Sequence, residues 1–227
     1  RMAEVSSDTI KPVLIIDQLI EKLREEISNG TLKGGAPLRE VELQNRFGIS
    51  RTPLREAFRE LERLGFVEIR PRQGTYVKEI SLKETVDIYE VRSVLEGLAA
   101  RLSMQRKDDF LTSLESALAG MDHAFNKEDW KAFLIAHDHF HDAWLDNCEN
   151  KLLRDEALRL RALTSWHRRY FDFSDIDFKS SLQVHRKILE VVKISSPEEA
   201  GKVENIVKEN ILSAVTRILR ATRNEKE

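Results

Sequence analysis

SRTPLREAFRELERLGFVEIRPRQGTYVKEI, residues 50–80, carries a helix and a hairpin in immediate succession. Ser50 is a capping residue type, and Pro53 falls in the first helical turn, where its missing N–H costs little. Leu54, Ala57, Phe58, Leu61 and Leu64 then repeat at helical spacing, and Gly65 stops the run. FVEIR (66–70) and TYVKEI (75–80) alternate as strands do, around a turn at Pro71-Arg72-Gln73-Gly74.

Upstream, Val13–Ser28 places Ile16, Leu19, Ile20, Leu23 and Ile27 on one helical face and ends at Asn29-Gly30. Gly34-Gly35-Ala36-Pro37 reads as a turn, and Glu40–Phe47 as a short helix ending at Gly48. Three helices followed by a two-stranded hairpin is the order of a winged helix-turn-helix, and Gly48 supplies the glycine its turn often carries. From Ser81 onward the chain changes character: long amphipathic runs predict six helices, at 82–106, 109–126, 128–147, 150–172, 178–194 and 197–224. The expected fold is therefore mainly α: an N-terminal winged helix-turn-helix over residues 8–80 and a C-terminal all-α helical bundle over residues 81–227.

Composition agrees and narrows the function. Hydrophobic residues make up 41% and charged ones 33%, with only 9 Gly and 5 Pro, which argues against an all-β or loop-rich protein. The single Cys148 leaves no disulfide framework and no paired-cysteine metal or redox motif, and fits a reducing cytoplasm. No apolar run approaches the roughly 18 residues that a membrane span needs, and the first residues hold no apolar signal core. No nucleophile elbow, phosphate loop or HExxH motif points to an enzyme.

The net charge of −2 hides an asymmetry: residues 46–78 hold 8 basic and 4 acidic side chains, a local +4. Arg51, Arg55 and Arg59 stand at i, i+4 and i+8 along one flank of the helix after Ser50. Arg51 is in the first turn, where a recognition helix meets base edges, and arginine suits bidentate contact with guanine. The hydroxyls of Ser50 and Thr52 and the free N–H groups of the helix start can hold phosphate. Arg72, Gln73 and Gly74 give the wing tip a charge, an amide and a close backbone approach. The alternative is that Arg55 and Arg59 pair with Glu56, Glu60 and Glu62 on a solvated face.

Histidines supply a second constellation. His137 and His141 are i, i+4 on one helix face, while His139 points elsewhere. His185, flanked by Val184, Ile188 and Leu189, is expected to turn inward. Together His137, His141 and His185 would suit a divalent metal, zinc or similar, with positions left for water or an effector carboxylate. The alternative is a set of hydrogen-bonded core histidines.

The stretch PLREVELQNRFGISRTPLREAFRELERLGFVEIRPRQGTYV (37–77) resembles the DNA-binding domain of the GntR family of bacterial transcription regulators. YEVRSVLEGLAARLS (89–103), HDHFHDAWLDNCEN (137–150) and VHRKILEVV (184–192) resemble, more loosely, the FCD-type effector domain of its FadR branch. The resemblance implies that Arg51 and Arg55 contact bases, that Ser50, Thr52 and Pro53 lie at the DNA surface, and that Gln73 and Gly74 enter the minor groove. Val41 stands where many members place an arginine, with Arg39 and Arg46 as substitutes. In metal-binding members an Asp-x-x-x-His pair is followed by two later histidines. His141 and His185 match the first two histidines, His137 takes the Asp position, and Val207 or Asn210 falls at the last. Arg92, with Glu96 at i+4, matches positions near the pocket and is read as an anchor for an effector carboxylate, or else as an ordinary helix pair.

The resulting expectation is a cytoplasmic homodimer that binds a double-stranded DNA operator and a small-molecule effector and acts as a repressor, without a membrane partner. The competing classes are a winged-helix scaffold that binds protein and a helical metal-dependent hydrolase, for which Asp138 or Glu149 would be the nearby base.

Overall fold

The computed structural model describes residues 12–170 and 177–224. The chain falls into two compact units: Arg1–Ser81 with Ser165–Phe171, and Leu82–Thr164 with Asp172–Glu227.

In the first unit α1 (Pro12–Ser28), β1 (Pro37–Leu38), α2 (Glu40–Phe47), α3 (Arg51–Leu64), β2 (Val67–Arg70) and β3 (Gly74–Val77) follow in order. The apolar stripes of the helices meet in one core, where Leu23, Ile27, Leu54, Ala57, Phe58 and Leu61 are almost wholly inaccessible. Leu64, expected in that core, is half-buried. α3 ends where Gly65 takes a left-handed φ of 89°, letting its N–H return to the carbonyls of Leu61 and Glu62.

The sheet has three strands rather than two, in the order β1-β3-β2, all antiparallel. Pro37, expected as the end of a turn, and Leu38 after it pair with Tyr76 and Thr75. A proline is admissible there because β1 is an edge strand. Leu38 is buried, which drives a two-residue strand that propensity could not announce. In β2–β3, Val67 faces Val77 and Arg70 faces Gly74.

The second unit contains α4 (Leu82–Ser103), α5 (Lys107–Asn126), α6 (Trp130–Asn147), most of α7 (Lys151–Tyr170), α8 (Phe178–Ile194) and α9 (Ala200–Asn224). These are the six expected helices, with single-turn 3₁₀ segments at Met104–Arg106 and Pro197–Glu199. Of the expected break at 173–177, residues 173–176 lie outside the described residues, as do residues 8–11 of the first expected domain. Asp177 opens α8 by accepting the N–H of Ser180, and Asp129 opens α6 by accepting that of Ala132. α4 packs along α9 and α5 along α6. Gly97 allows the first of these approaches, since a Cβ there would lie 2.5 Å from Cγ of Lys208. Phe110, Phe133, Phe140 and Trp144 fill the centre.

Candidate DNA interface and histidine cluster

The turn between α2 and α3 uses Gly48 in a left-handed conformation (φ 64°) and brings the first turns of the two helices side by side. Ser50 occupies the N-cap position of α3 with extended backbone, yet its hydroxyl makes no capping hydrogen bond. The expected cap is therefore absent, and the hydroxyl stands exposed beside Thr52 and the unsatisfied N–H groups of the helix start. Pro53 is half-buried; Arg51, Arg55 and Arg59 are exposed.

Arg51 and Arg55 do not pair with the acids of their own helix. Nε of Arg51 donates to Oε2 of Glu40 at 2.5 Å, and Nε of Arg55 to Oε1 of the same carboxylate at 2.8 Å. The hydrogen bond from Arg55 is the main cause that holds the Glu40 carboxyl below its ordinary range. Glu60 instead accepts from Arg63, and Glu62 from the backbone N–H of Ile69. Of the substitutes for an arginine at position 41, Arg46 is engaged with the buried Glu26 and Arg39 approaches Glu42 at 3.6 Å. Val41 itself is 69% exposed.

At the wing, Arg72, Gln73 and Gly74 are all exposed. Arg72 has a φ of 62° and Gly74 one of 113°, the latter with open space where a side chain would project. The Gln73 carbonyl accepts from the Tyr76 hydroxyl at 3.2 Å, and the Arg70 guanidinium lies 4.5 Å from the Tyr76 ring centre, which stiffens the tip.

In the helical unit the structure gathers His137, His141 and His185, with one ring nitrogen from each inside a 4.8 Å cluster. His139 points away and is exposed. Val207 is wholly buried in the core, and Asn210 is half-buried on α9 with its carbonyl accepting from the Ser213 hydroxyl. Nδ1 of His185 lies 2.7 Å from the Ser181 carbonyl, which can only accept, so Nδ1 carries the proton and Nε2 the lone pair. That Nε2 faces Nε2 of His141 at 3.2 Å. His141 Nδ1 is buried without a hydrogen-bond partner, and Oε2 of Glu96 is 3.8 Å away.

Neutral His141 cannot satisfy both ends. With its proton on Nε2 it bonds His185 but turns a lone pair toward the Glu96 carboxylate. With the proton on Nδ1 two Nε2 lone pairs confront each other. The doubly protonated ring would satisfy both contacts, but burial pushes His141 well below its ordinary range and His185 down to about 3. A cation between the rings would resolve the conflict, since the Nε2 lone pairs of His141 and His185 could hold it while Nδ1–H of His141 turns to the Glu96 carboxylate. A separation of 3.2 Å accommodates two ligand nitrogens, each about 2.0–2.1 Å from zinc. The residues present thus fit a borderline divalent metal.

Glu96 is fully buried and its oxygens are shared out. Oε1 accepts Nε and Nη2 of Arg92 at 2.8 and 2.6 Å; Oε2 accepts the Trp144 indole N–H at 3.0 Å. Arg92 Nη1 donates to the Thr164 hydroxyl at 2.6 Å. Burial opposes ionisation of Glu96, but Arg92 and then His141 outweigh it and keep the carboxyl well below its ordinary range. Arg92, read from the sequence as an effector anchor or as an ordinary helix pair, forms with Glu96 a buried ion pair that backs the histidine cluster.

A winged helix-turn-helix with two guanidiniums at the mouth of its third helix, followed by a bundle holding a histidine cluster, defines a DNA-binding regulator with a sensing domain. Comparison with known proteins agrees. The profile of "Bacterial regulatory proteins, gntR family" matches residues 15–77, and that of the FCD domain matches residues 87–205. The chain belongs to the GntR family, with an FCD domain, and is a transcription regulator rather than an enzyme. It is 31% identical over 204 residues, 87% of each chain, to the "Probable D-xylose utilization operon transcriptional repressor" of Paenarthrobacter nicotinovorans. It is 25% identical over 236 residues to the "Galactonate operon transcriptional repressor" of Escherichia coli (strain K12), covering 93% of this chain and 96% of the relative. Its fold matches that of E. coli McbR/YncC with a TM-score of 0.69 at 20% identity, over 91% of this chain and 97% of the other. Among the described residues no helix is long and apolar enough to cross a membrane.

Sequence reasoning missed Glu40 and the depth of the Arg92–Glu96 pair. Glu40 lies 11 and 15 residues from its partners, a distance set by the helix-turn-helix crossing and by no local pattern.

Proposed function

We propose that this chain is a cytoplasmic, homodimeric repressor whose operator affinity is set by a small carboxylate effector. Arg51 and Arg55 read guanines in the major groove; Ser50, Thr52 and the start of α3 hold backbone phosphates, with Pro53 against the DNA surface. Arg72, Gln73 and Gly74 enter the minor groove. A two-fold pair of such heads matches a palindromic operator, because one short helix offers few base contacts. The exposed stripe Val91, Val94 and Leu98 on α4 is the face we assign to the second copy.

The observation that carries the DNA-reading assignment is the exposed guanidinium pair at the first turns of α3. Arg51→Ala and Arg55→Ala should each weaken binding to a duplex enriched from a random library by the wild-type protein, by about 1–3 kcal/mol, and relax preference at one base. Unchanged affinity in both would turn the reading toward a protein-binding scaffold.

In the sensing domain His137, His141 and His185 hold a divalent metal, and Asn210 is the candidate fourth protein ligand. The metal supplies a Lewis-acidic point for the effector's carboxylate. Glu96 orients His141 through Nδ1, and Arg92 acts on the effector site by holding Glu96. The effector then shifts operator affinity by binding two arrangements of the dimer unequally. Elemental analysis of purified protein, with mass spectrometry of co-purified acids, tests this half. Metal-free protein that binds no added zinc would remove it while leaving DNA reading intact.

A further inference from the structure

A guanidinium carries one N–H on Nε and two on each Nη, so it can offer guanine two different forks. The end-on fork uses both Nη atoms; the side-on fork uses Nε with one Nη. Glu40 occupies the Nε of Arg51 and of Arg55 at once, at 2.5 and 2.8 Å, from a side chain that is 26% exposed. Both side-on forks are closed, and both end-on forks face solvent from side chains 64% and 53% exposed.

We propose that Glu40 is a specificity-determining residue, a clamp that presents Arg51 and Arg55 to DNA by their Nη ends alone. The inference rests on the reading of Arg51 and Arg55 as base-contacting residues. Two consequences follow from its chemistry. First, one carboxylate pinning two long side chains fixes them before DNA arrives, so the spacing of two guanine contacts is built into the free protein. Second, the triad carries a net +1 rather than +2, and its anion lies where a phosphate would otherwise be drawn. Docking on an arbitrary backbone is thereby weakened more than docking on the correct bases. Glu40 begins α2, where the helix dipole favours its negative form, so the clamp is held from both sides.

Glu40→Gln is the test, because the amide keeps the shape but has a single acceptor oxygen and turns N–H donors toward the second arginine. Binding is measured over a range of salt on two duplexes, the one enriched by the wild-type protein and a mixed-sequence one without that site. We expect the ratio of the two affinities to fall about tenfold, with the salt slope on the mixed duplex steeper by about one charge. Glu40→Asp should keep the wild-type slope. In an Arg51→Ala, Arg55→Ala background Glu40→Gln should leave the ratio unmoved. The proposal is overturned if Glu40→Gln changes both affinities by one factor, changes neither, or alters the ratio without the two arginines. If instead the arginine variants alone leave the enriched duplex bound as before, the base-reading assignment fails, and the clamp with it. Thermal melting of each variant confirms that the fold is kept.

Discussion

Arg51 and Arg55 share a carboxylate at the surface of the DNA-binding unit, whereas Arg92 and Glu96 form their pair inside the bundle, with side chains 9% and 0% exposed. Chemically the two pairings are alike, each an arginine donating from Nε to glutamate at 2.8 Å or less. Energetically they are opposites. The surface triad gives little to stability, since water solvates each partner nearly as well as the other does. Its value is that Glu40 engages only the Nε atoms, so the Nη ends of both arginines stay available to DNA. The buried pair cannot be exchanged, because opening it strands a charge in a dry core. One region keeps its charges ready for a ligand; the other uses them to hold ring nitrogens in place.

The sharpest way to break this comparison is to remove one arginine from each. Arg92→Leu should lower the free energy of unfolding by about 3–5 kcal/mol, the cost of an uncompensated buried carboxylate. Arg51→Ala should change it by less than about 0.5 kcal/mol. Urea denaturation followed by circular dichroism measures both, and equal effects would erase the distinction. Replacing Arg92 and Glu96 together by leucine should recover part of the loss, although Trp144 and Thr164 then lose partners.

Acid should separate the regions next. His185 is held at about 3 when folded, below its ordinary 6.5, because burial disfavours the charged ring. Between those values the unfolded chain binds more protons than the folded one, so stability is fully present above 6.5 and drains away as pH falls. Chelator-treated protein should show urea midpoints that drop from pH 7 to pH 5, and His185→Gln should flatten that slope. A slope unchanged by His185→Gln would place the acid sensitivity elsewhere. Zinc acts on the same rings: at a hundredfold excess over its dissociation constant it should add about 2.7 kcal/mol, and none in His185→Ala.

What could be read from the chain divides along the same line. The helices and the wing were legible because Leu54, Ala57, Phe58 and Leu61 repeat every turn and the strands alternate, signals written within one element. His137 and His141 were legible for the same reason, and the apolar flanks of His185 disclosed its inward turn. Glu40 was not, because its link to Arg51 and Arg55 exists only once two helices cross. Nor was β1, whose Pro37 and Leu38 pair only because β3 is already present. The i, i+4 spacing of Arg92 and Glu96 announced the contact but not its burial, which depends on Trp144 and Thr164 from other helices.

The smallest effects separate two helix starts. Asp129 caps α6 through a 3.0 Å bond to the N–H of Ala132, so Asp129→Ala should cost about 1 kcal/mol of stability and nothing in DNA affinity. Ser50 holds the equivalent place on α3 with its hydroxyl unused. Ser50→Ala should therefore leave the unfolding free energy within about 0.5 kcal/mol of wild type. Its affinity for the enriched duplex should still fall, by about 1 kcal/mol, if a phosphate supplies the missing partner. Because a phosphate contact carries no sequence information, the enriched and mixed duplexes should weaken by the same factor. That distinguishes Ser50 from Arg51 and Arg55, one and five residues further along the chain, whose loss should fall on the enriched duplex first. A Ser50→Ala protein that is destabilised yet binds as before would show the hydroxyl serving the fold, and the empty cap of α3 would lose its meaning as a place kept for DNA.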